Sequence, residues 1–132
     1  MQNILKHSTF LLFILCLAAC HQDDDCYTAN GISGTWQWTK SVGGFGGNTN
    51  TPSSEKETRR LVIDELMFRE YRNDTLYFES EYDLKVLPDS TFGTNKYIFF
   101  ENGGQDAYTL DCNKLELIEL CTDCFSHYYV RK

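Results

Sequence analysis

The segment RRLVIDELMFREYRNDTLYF, residues 59–78, decides the fold class of this chain. Short runs of alternating apolar and polar residues lie on either side of Asn73-Asp74, a dipeptide typical of the tight turn between antiparallel strands. Aromatic and β-branched side chains, which fit a pleated surface, are frequent in both runs. No stretch beyond residue 19 keeps a helical period, so the sequence predicts an all-β fold.

The same alternation recurs along the rest of the chain, and turn residues separate the runs. Their mostly short links favour an antiparallel up-and-down meander, and closure into an eight-stranded barrel would remove its exposed edges. An open, flat sheet is the competing shape. The predicted strands are 35–42, 59–64, 66–72, 75–87, 95–101, 106–112, 114–120 and 125–131.

One connection, residues 43–54, is long and rich in Gly, Asn and Ser. Long loops in compact domains often bind ligands, so this segment is either a disordered insertion or a lid.

The first 19 residues have the pattern of a secretory signal: Lys6 and His7 precede the apolar run 10–16. This run is shorter than the roughly 20 residues that a membrane-spanning helix needs. Leu17-Ala18-Ala19-Cys20 resembles a bacterial lipobox, which implies cleavage before Cys20 and its modification with acyl chains such as palmitate. An ordinary cleaved signal with a spare thiol is the alternative. The predicted organisation is a signal peptide (1–19), a lipid anchor with an acidic tether (20–33) and a β-barrel domain (34–132).

The distribution of charged residues indicates where the protein is located and which partners it can bind. Residues 21–25 end in three aspartates and resemble the acidic export tag of surface lipoproteins in one Gram-negative phylum, which implies a lipid-anchored protein at the bacterial outer membrane, exposed at the cell surface. The formal net charge is −7, and Arg59-Arg60 is the only adjacent basic pair before the C-terminal one. Binding to nucleic acid is therefore disfavoured, because it depends on neutralising phosphates.

Two motifs resemble a known family. Gly34-Thr35-Trp36 resembles the Gly-x-Trp signature of lipocalins, and Tyr129-Val130-Arg131 resembles the ending of small bacterial lipocalin-like lipoproteins. The resemblance spans residues 34–132 and implies an eight-stranded lipocalin-like barrel. It also implies that Gly34, Trp36 and Arg131 close one end, with the guanidinium over the indole. Asp64-Glu65 stands where the family has Asp-Gly, which makes the register at that turn an open question.

The lipocalin strand order also places the cysteines. Once Cys20 is lipidated, Cys26, Cys112, Cys121 and Cys124 remain in an oxidising compartment. An extended strand would separate Cys112 from Cys121 by roughly 30 Å, whereas bonded Cα atoms lie within about 7 Å. We therefore expect the disulfides Cys26–Cys112, at the closed end, and Cys121–Cys124, at the open mouth.

Other chemistry for Cys121-Thr122-Asp123-Cys124 is disfavoured. A thioredoxin-like redox pair needs a βαβ context, which the sequence does not indicate. A zinc site that recruits His127 would need a second Cys-x-x-Cys motif, which the sequence lacks.

Alternation also selects candidate ligand-binding residues. If Trp36 points inward, so does Trp38, and Arg131 brings Tyr129 and His127 inward with it. We expect the side chain of Tyr82 to point into the barrel as well. Of the neighbours Phe99 and Phe100 only one can do so, and we take it to be Phe99. The candidate ligand-binding residues are therefore Trp38, Tyr82, Phe99, His127 and Tyr129.

The sequence indicates no catalytic constellation, so we expect a protein that is not an enzyme and uses neither cofactor nor metal. The first functional hypothesis is a small hydrophobic ligand bound at the barrel mouth. In the second, the barrel is filled by side chains and its mouth loops contact a protein partner. The third is an inhibitor that presents the Gly-rich loop to an enzyme.

Overall fold

A computed structural model describes residues 31–88 and 91–132, and within them the chain is almost entirely β-structure. The eight predicted strands are confirmed, and a ninth, short strand lies in the long connection. The elements are β1 (Gly34–Gly43), β2 (Asn48–Asn50), α1 (Pro52–Glu55), β3 (Arg59–Ile63), β4 (Met67–Arg72), β5 (Thr75–Val86), β6 (Lys96–Phe100), β7 (Gln105–Asp111), β8 (Lys114–Glu119) and β9 (Phe125–Arg131).

The strands form a closed antiparallel barrel rather than an open sheet. From β3 to β9 each strand pairs with the next in the sequence, and β1 pairs with both β3 and β9. The closing register places Trp36 opposite Arg131 and Trp38 opposite Tyr129. β2 is not part of the ring, since it only forms a hairpin with the end of β1.

The turns on either side of β4 fix the register between neighbouring strands, including the register at Asp64-Glu65 that the sequence left open. Asn73 and Asp74 have φ values of 46° and 62°, which suit a two-residue hairpin with positive φ at both positions. At the β3–β4 turn, Asp64 Oδ1 accepts the amide hydrogens of Leu66 and Met67 at 3.0 and 2.8 Å. This side-chain contact holds a turn without glycine, so Ile63 still pairs with Phe68.

The long connection is structured, at variance with a disordered insertion. Gly47 N–H donates to Gly44 O at 3.0 Å and closes the β1–β2 hairpin. Thr51 then caps α1, because its hydroxyl accepts the Ser54 amide at 3.2 Å while Ser54 Oγ contacts the Thr51 amide at 2.9 Å. Among the described residues no helix is long and apolar enough to cross a membrane.

Trp36 is the centre of the closed end of the barrel and is 0 % exposed. Its indole Nε1–H donates to Ile32 O at 2.8 Å. The Arg131 guanidinium lies 4.1 Å from the indole centroid and donates to Ser33 O at 2.6 Å and Gly31 O at 3.0 Å. The expected contact between Arg131 and Trp36 is therefore present, and both side chains also donate to backbone carbonyls.

Gly34 makes room for this contact. Its φ is +140°, and a Cβ at this position would lie 2.5 Å from Arg131 Nη1. Glycine is needed here because any side chain would strain the backbone and displace the guanidinium.

The alternate links divide the barrel into two ends, as the meander requires. The β3–β4, β5–β6 and β7–β8 links lie at the end that holds Trp36 and Arg131, which we call the closed end. The links β1–β3, β4–β5, β6–β7 and β8–β9 surround the opposite, open end. The core between them is a continuous cluster of buried side chains: Ile32, Trp36, Trp38, Leu61, Ile63, Phe68, Ile98, Tyr108, Leu115, Leu117 and Tyr129.

Candidate functional site

A cavity of about 470 Å³ opens at the open end of the barrel. All nine strands contribute to its wall, and most of its charged residues lie where a strand begins or ends at the mouth. Its lining consists of Ser41, Asn50, Arg59, Leu61, Phe68, Glu70, Arg72, Tyr77, Phe78, Phe100, Asn102, Gly104, Asp106, Leu117, Glu119, Phe125, His127 and Tyr129.

The floor of the cavity is apolar and aromatic. Phe100 packs edge-to-face against Phe68 and Phe78, with ring centroids 5.1 and 5.3 Å apart. Leu61 and Leu117, both buried, belong to the same lining. This packing fixes the three rings, so the floor is a preformed surface for an apolar group.

Two arginines line the rim, and each already has partners. Arg72 Nε donates to Glu70 Oε1 at 2.7 Å, and its guanidinium lies 3.5 Å from the Tyr77 ring centroid. Arg59 forms an ion pair with Glu57 and lies 4.4 Å from the Trp38 ring centroid. A carboxylate and an aromatic face therefore compensate the positive charge of each arginine. Neither guanidinium is an uncompensated charge that would attract an anionic ligand.

A chain of hydrogen bonds links the wall to the mouth loop. Trp38 Nε1–H donates to Ser41 Oγ at 2.9 Å, and Ser41 Oγ lies 2.6 Å from His127 Nδ1. His127 Nε2 lies 3.0 Å from Glu119 Oε1, and Glu119 Oε2 accepts the Phe125 amide hydrogen at 3.1 Å. Every contact is satisfied when Ser41 donates to Nδ1 and Nε2–H donates to Glu119, which assigns the tautomer from the network.

These contacts shift the pKa of Glu119. Burial alone would raise it, but the hydrogen bonds from His127 and from the Phe125 amide outweigh burial and lower the pKa. Glu119 is therefore a carboxylate whose two oxygens are both engaged within the protein.

The Ser41–His127–Glu119 sequence of contacts has the residue types of a nucleophilic triad, but its surroundings fit an orienting role. Ser41 is 2 % exposed, and its oxygen already accepts the Trp38 indole hydrogen. The imidazole is locked between the hydroxyl and the carboxylate, which fixes the wall beside the cavity. This geometry stabilises the mouth rather than presenting a free nucleophile.

Asp106 differs from the other charged residues of the lining. Its carboxylate makes no hydrogen bond or ion pair with any residue that the structure describes. Its partner across the β7–β8 ladder is Glu119, so two carboxylates lie directly opposite each other. Burial, followed by the charges of Glu119 and Glu70, raises the pKa of Asp106 to about 6.

Tyr129 is the second lining residue with an unused polar group. It is 4 % exposed, and its hydroxyl makes no hydrogen bond within the described residues. Burial, followed by the charge of Glu70, raises the pKa of this phenol, so the hydroxyl keeps its proton. Asp106 and Tyr129 therefore supply one acceptor group and one hydroxyl that a bound molecule can engage.

The structure divides the five predicted ligand-binding residues. His127 and Tyr129 line the cavity. Trp38 is inside the barrel, but it is covered by Arg59 and donates to Ser41. Tyr82 donates its hydroxyl to Asp64 O at 2.7 Å, in the β3–β4 turn of the closed end. Trp38 and Tyr82 thus support the wall and the closed end without lining the cavity.

Phe100, rather than the predicted Phe99, lines the cavity. Phe100 packs into the core and lines the cavity, whereas Lys85 Nζ lies 4.6 Å from the Phe99 ring centroid on the outer face. The physical reason is the parity of β6, where Ile98 is 0 % exposed and therefore directs Phe100 inward with it.

Sequence reasoning also missed Ser41 and Asp106. The register between β1 and β9 shifts between Trp38 and Lys40, so this bulge turns Ser41 inward, opposite His127, where simple alternation would have placed Lys40. Asp106 follows the alternation of β7, but an aspartate beside a loop gives no signal of burial. Only the pairing with β8 shows that it faces another carboxylate.

The predicted cysteine pairing is partly observed. Cys121 and Cys124 form a disulfide with a Cα–Cα distance of 5.3 Å, in the loop that Glu119 and Gly44 contact. Cys112 is also disulfide-bonded, but its expected partner Cys26 lies outside the described residues, so that pairing stays a prediction. The lipidation site Cys20 lies outside them as well.

Neither metal-ligand geometry nor a known relative assigns a chemistry to the cavity. Across residues 31–88 and 91–132, no group of three or more His, Cys, Asp and Glu side chains is arranged to hold a metal ion. Comparison with protein-family models, with curated proteins and with solved structures found no match. The lipocalin-like resemblance therefore stays a prediction.

Proposed function

We propose that this protein is a surface-anchored, lipocalin-like lipoprotein that binds a small molecule with an apolar body in the cavity at its open end, without catalysis. The observation that carries the proposal is the cavity itself: its volume of about 470 Å³ falls within the range typical of ligand sites, roughly 300–1,000 Å³. Its aromatic floor beneath a polar rim is the usual composition of such sites.

The contrast with the rest of the interior supports this proposal. Trp36 and Leu115 are 0 % exposed and Ile63 is 2 % exposed, so the closed half of the barrel is filled by its own side chains. The space at the open end is thus local, and its floor is held by fixed rings. Asp106 and Tyr129 each present a polar side-chain group that has no hydrogen-bond partner among the described residues and that a ligand can engage.

Native mass spectrometry of protein purified from its own host tests this function. We expect a co-purified molecule that is retained by the unmodified protein and lost from Leu117→Trp, which fills the cavity at a buried position of its lining. Leu66→Trp is the matched control, because Leu66 is exposed at the closed end. Retention by Leu117→Trp, in a variant with unchanged circular dichroism, would contradict binding in this cavity.

The membrane anchor is a separate part of the proposal and has its own test. Labelling of growing cells with a clickable palmitate analogue should mark the protein, and Cys20→Ser should abolish the label and release the protein from membranes. Cys26→Ser is the matched control, because it removes a nearby cysteine that is not the predicted lipidation site, and it should retain the label. Surface exposure predicts that protease added to intact cells degrades the unmodified protein.

A second candidate function rests on Phe45, which is 96 % exposed at the tip of the β1–β2 hairpin. Gly44 N–H donates to Cys124 O at 3.3 Å, so the hairpin rests on the disulfide loop and presents Phe45 in a fixed position. Exposed aromatics often anchor protein interfaces. In this alternative, an interaction or inhibitor module, Phe45→Ala would abolish crosslinking to a partner on cells, whereas Leu76→Ala, another exposed apolar residue, would not.

A further inference from the structure

The ionic partners at the rim determine which ligand head group the cavity can accept. This inference rests on the proposed function, because it assumes that the cavity is a ligand site. Of the three carboxylates that line it, Glu70 pairs with Arg72, and Glu119 is bonded by His127 and the Phe125 amide. Only Asp106 lacks a partner among the described residues.

The cations at the rim do not compensate Asp106. Arg72 is engaged by Glu70 and Tyr77, and Arg59 by Glu57 and Trp38. His127 lies between Ser41 and Glu119. A ligand carboxylate would therefore have to displace one of these ion pairs and would also approach an unpaired carboxylate in a partly buried site.

We propose that the cavity selects a cationic amphiphile, a small molecule with an apolar body and a protonated amine, and that Asp106 is the counter-ion of its ammonium group. The apolar body lies on the floor formed by Phe68, Phe78 and Phe100. The ammonium group lies at the rim, where it donates to the Asp106 carboxylate and offsets the repulsion between Asp106 and Glu119. The Tyr129 hydroxyl lines the same cavity and contributes a further polar contact.

The direction of the ligand follows from the position of these residues. Asp106 lies at the second residue of β7, next to the mouth, whereas Leu61 and Phe68 belong to the buried core. An alkyl or aryl chain can therefore enter first while the charged group stays near solvent. Aromatic rings in the wall also attract a cation, which favours an ammonium group over an uncharged head.

The protonation state of Asp106 supports the same assignment. Burial raises its pKa to about 6, with further contributions from Glu119 and Glu70 that face it from β8 and β4. A bound ammonium group reverses this cost, because an adjacent positive charge favours the ionised carboxylate. At neutral pH the protein therefore keeps a carboxylate whose burial and repulsion an incoming cation relieves.

Isothermal titration calorimetry of the purified protein with decylamine, 1-decanol and decanoic acid, at pH 7.5 and below micelle formation, tests the inference. The three probes share one chain length and differ in the head group. We expect decylammonium to bind about ten-fold more tightly than decanol, as one charge-assisted hydrogen bond provides, and decanoate to bind most weakly. Asp106→Asn should remove the preference and leave decylammonium close to decanol.

Two further variants test whether the effect is specific to Asp106. Tyr129→Phe, which retains the ring, should weaken the binding of decylammonium by a few-fold, less than Asp106→Asn. Asp111→Asn, an exposed carboxylate at the other end of β7, should leave it unchanged. If decanoate or decanol binds the unmodified protein as tightly as decylammonium, the cavity binds amphiphiles and the head-group inference is wrong. If none of the three probes binds, the proposed function itself fails.

Discussion

The two ends of the barrel each pack an arginine over an aromatic ring, with different consequences. At the closed end, Arg131 covers a fully buried Trp36, and both side chains donate to backbone carbonyls. At the open end, Arg72 covers Tyr77, which is 62 % exposed, and the Asp106 carboxylate in the same cavity has no partner among the described residues. The closed end is built for stability, whereas the open end keeps an electrostatic cost that a ligand can relieve.

Removing the aromatic ring at each end is the strongest way to break this comparison. Trp36→Ala should lower the free energy of unfolding by about 3–5 kcal/mol, because it leaves a cavity and removes the surface on which Arg131 lies. Tyr77→Ala should cost less than about 1 kcal/mol, because most of that ring is in water. Urea denaturation measures both, and similar losses for the two variants would show that the closed end has no special role.

Glycine substitutions sharpen the comparison at the backbone. Gly34→Ala should cost about 2–3 kcal/mol, because its Cβ would collide with the Arg131 guanidinium at a φ that disfavours side chains. Gly46→Ala, in the β1–β2 hairpin, would place its Cβ no closer than 3.5 Å to the heavy atoms of any residue beyond its two chain neighbours, so it should leave the stability nearly unchanged. The thermal unfolding midpoint of each variant provides the measurement, and a neutral Gly34→Ala would contradict the tight closure.

Asp106→Asn should act in the opposite direction and stabilise the protein at neutral pH. Because burial raises the pKa of Asp106 from 3.8 to about 6, the folded state binds this proton more tightly than the unfolded state. The unmodified protein therefore loses stability as the pH rises from about 4 to about 6, by on the order of 2 kcal/mol, and does not regain it above that range. Asp106→Asn lacks this loss.

Urea denaturation at several pH values compares Asp106→Asn with the Asp111→Asn control. The difference between Asp106→Asn and the unmodified protein should be largest above pH about 6 and vanish near pH 4. A variant that is less stable than the unmodified protein at neutral pH would indicate that the Asp106 carboxylate has a stabilising partner.

The smallest effect is expected from the mouth disulfide. Replacing Cys121 and Cys124 by serine should lower the free energy of unfolding by about 1–2 kcal/mol, since the bridge closes a loop of only a few residues. Decylammonium should also bind more weakly, because this loop supports Glu119 and the β1–β2 hairpin. A loss of stability above that of Trp36→Ala would mean that the open end, not the closed end, dominates stability.

The sequence predicted the fold better than the site, for a physical reason. Strand alternation and turn dipeptides such as Asn73-Asp74 are local signals, and the Trp36–Arg131 contact follows once the barrel closes. The site depends on details that alternation does not carry. A bulge after Trp38 turns Ser41 inward, and the parity of β6 selects Phe100 instead of Phe99.

The sequence could not predict that the Asp106 carboxylate is unpaired among the described residues, and the reason is different. Whether Asp106 is paired depends on residues from β4, β8 and β9, which approach one another only in the folded barrel. Glu70 and Glu119 have the same residue type and lie beside the same cavity, yet both are satisfied. An unpaired carboxylate is thus a property of the tertiary structure alone.

Nuclear magnetic resonance titration of the ¹⁵N-labelled protein with decylamine tests the central claim most directly, because it shows both whether and where the ligand binds. The account predicts saturable shifts at the open end, centred on Asp106, Glu119 and Phe100, with the closed-end residues Trp36 and Arg131 unaffected. Shifts confined to the outer face, where Lys40 Nζ lies 5.0 Å from the Tyr128 ring centroid, or shifts that persist unchanged in Asp106→Asn, would contradict it.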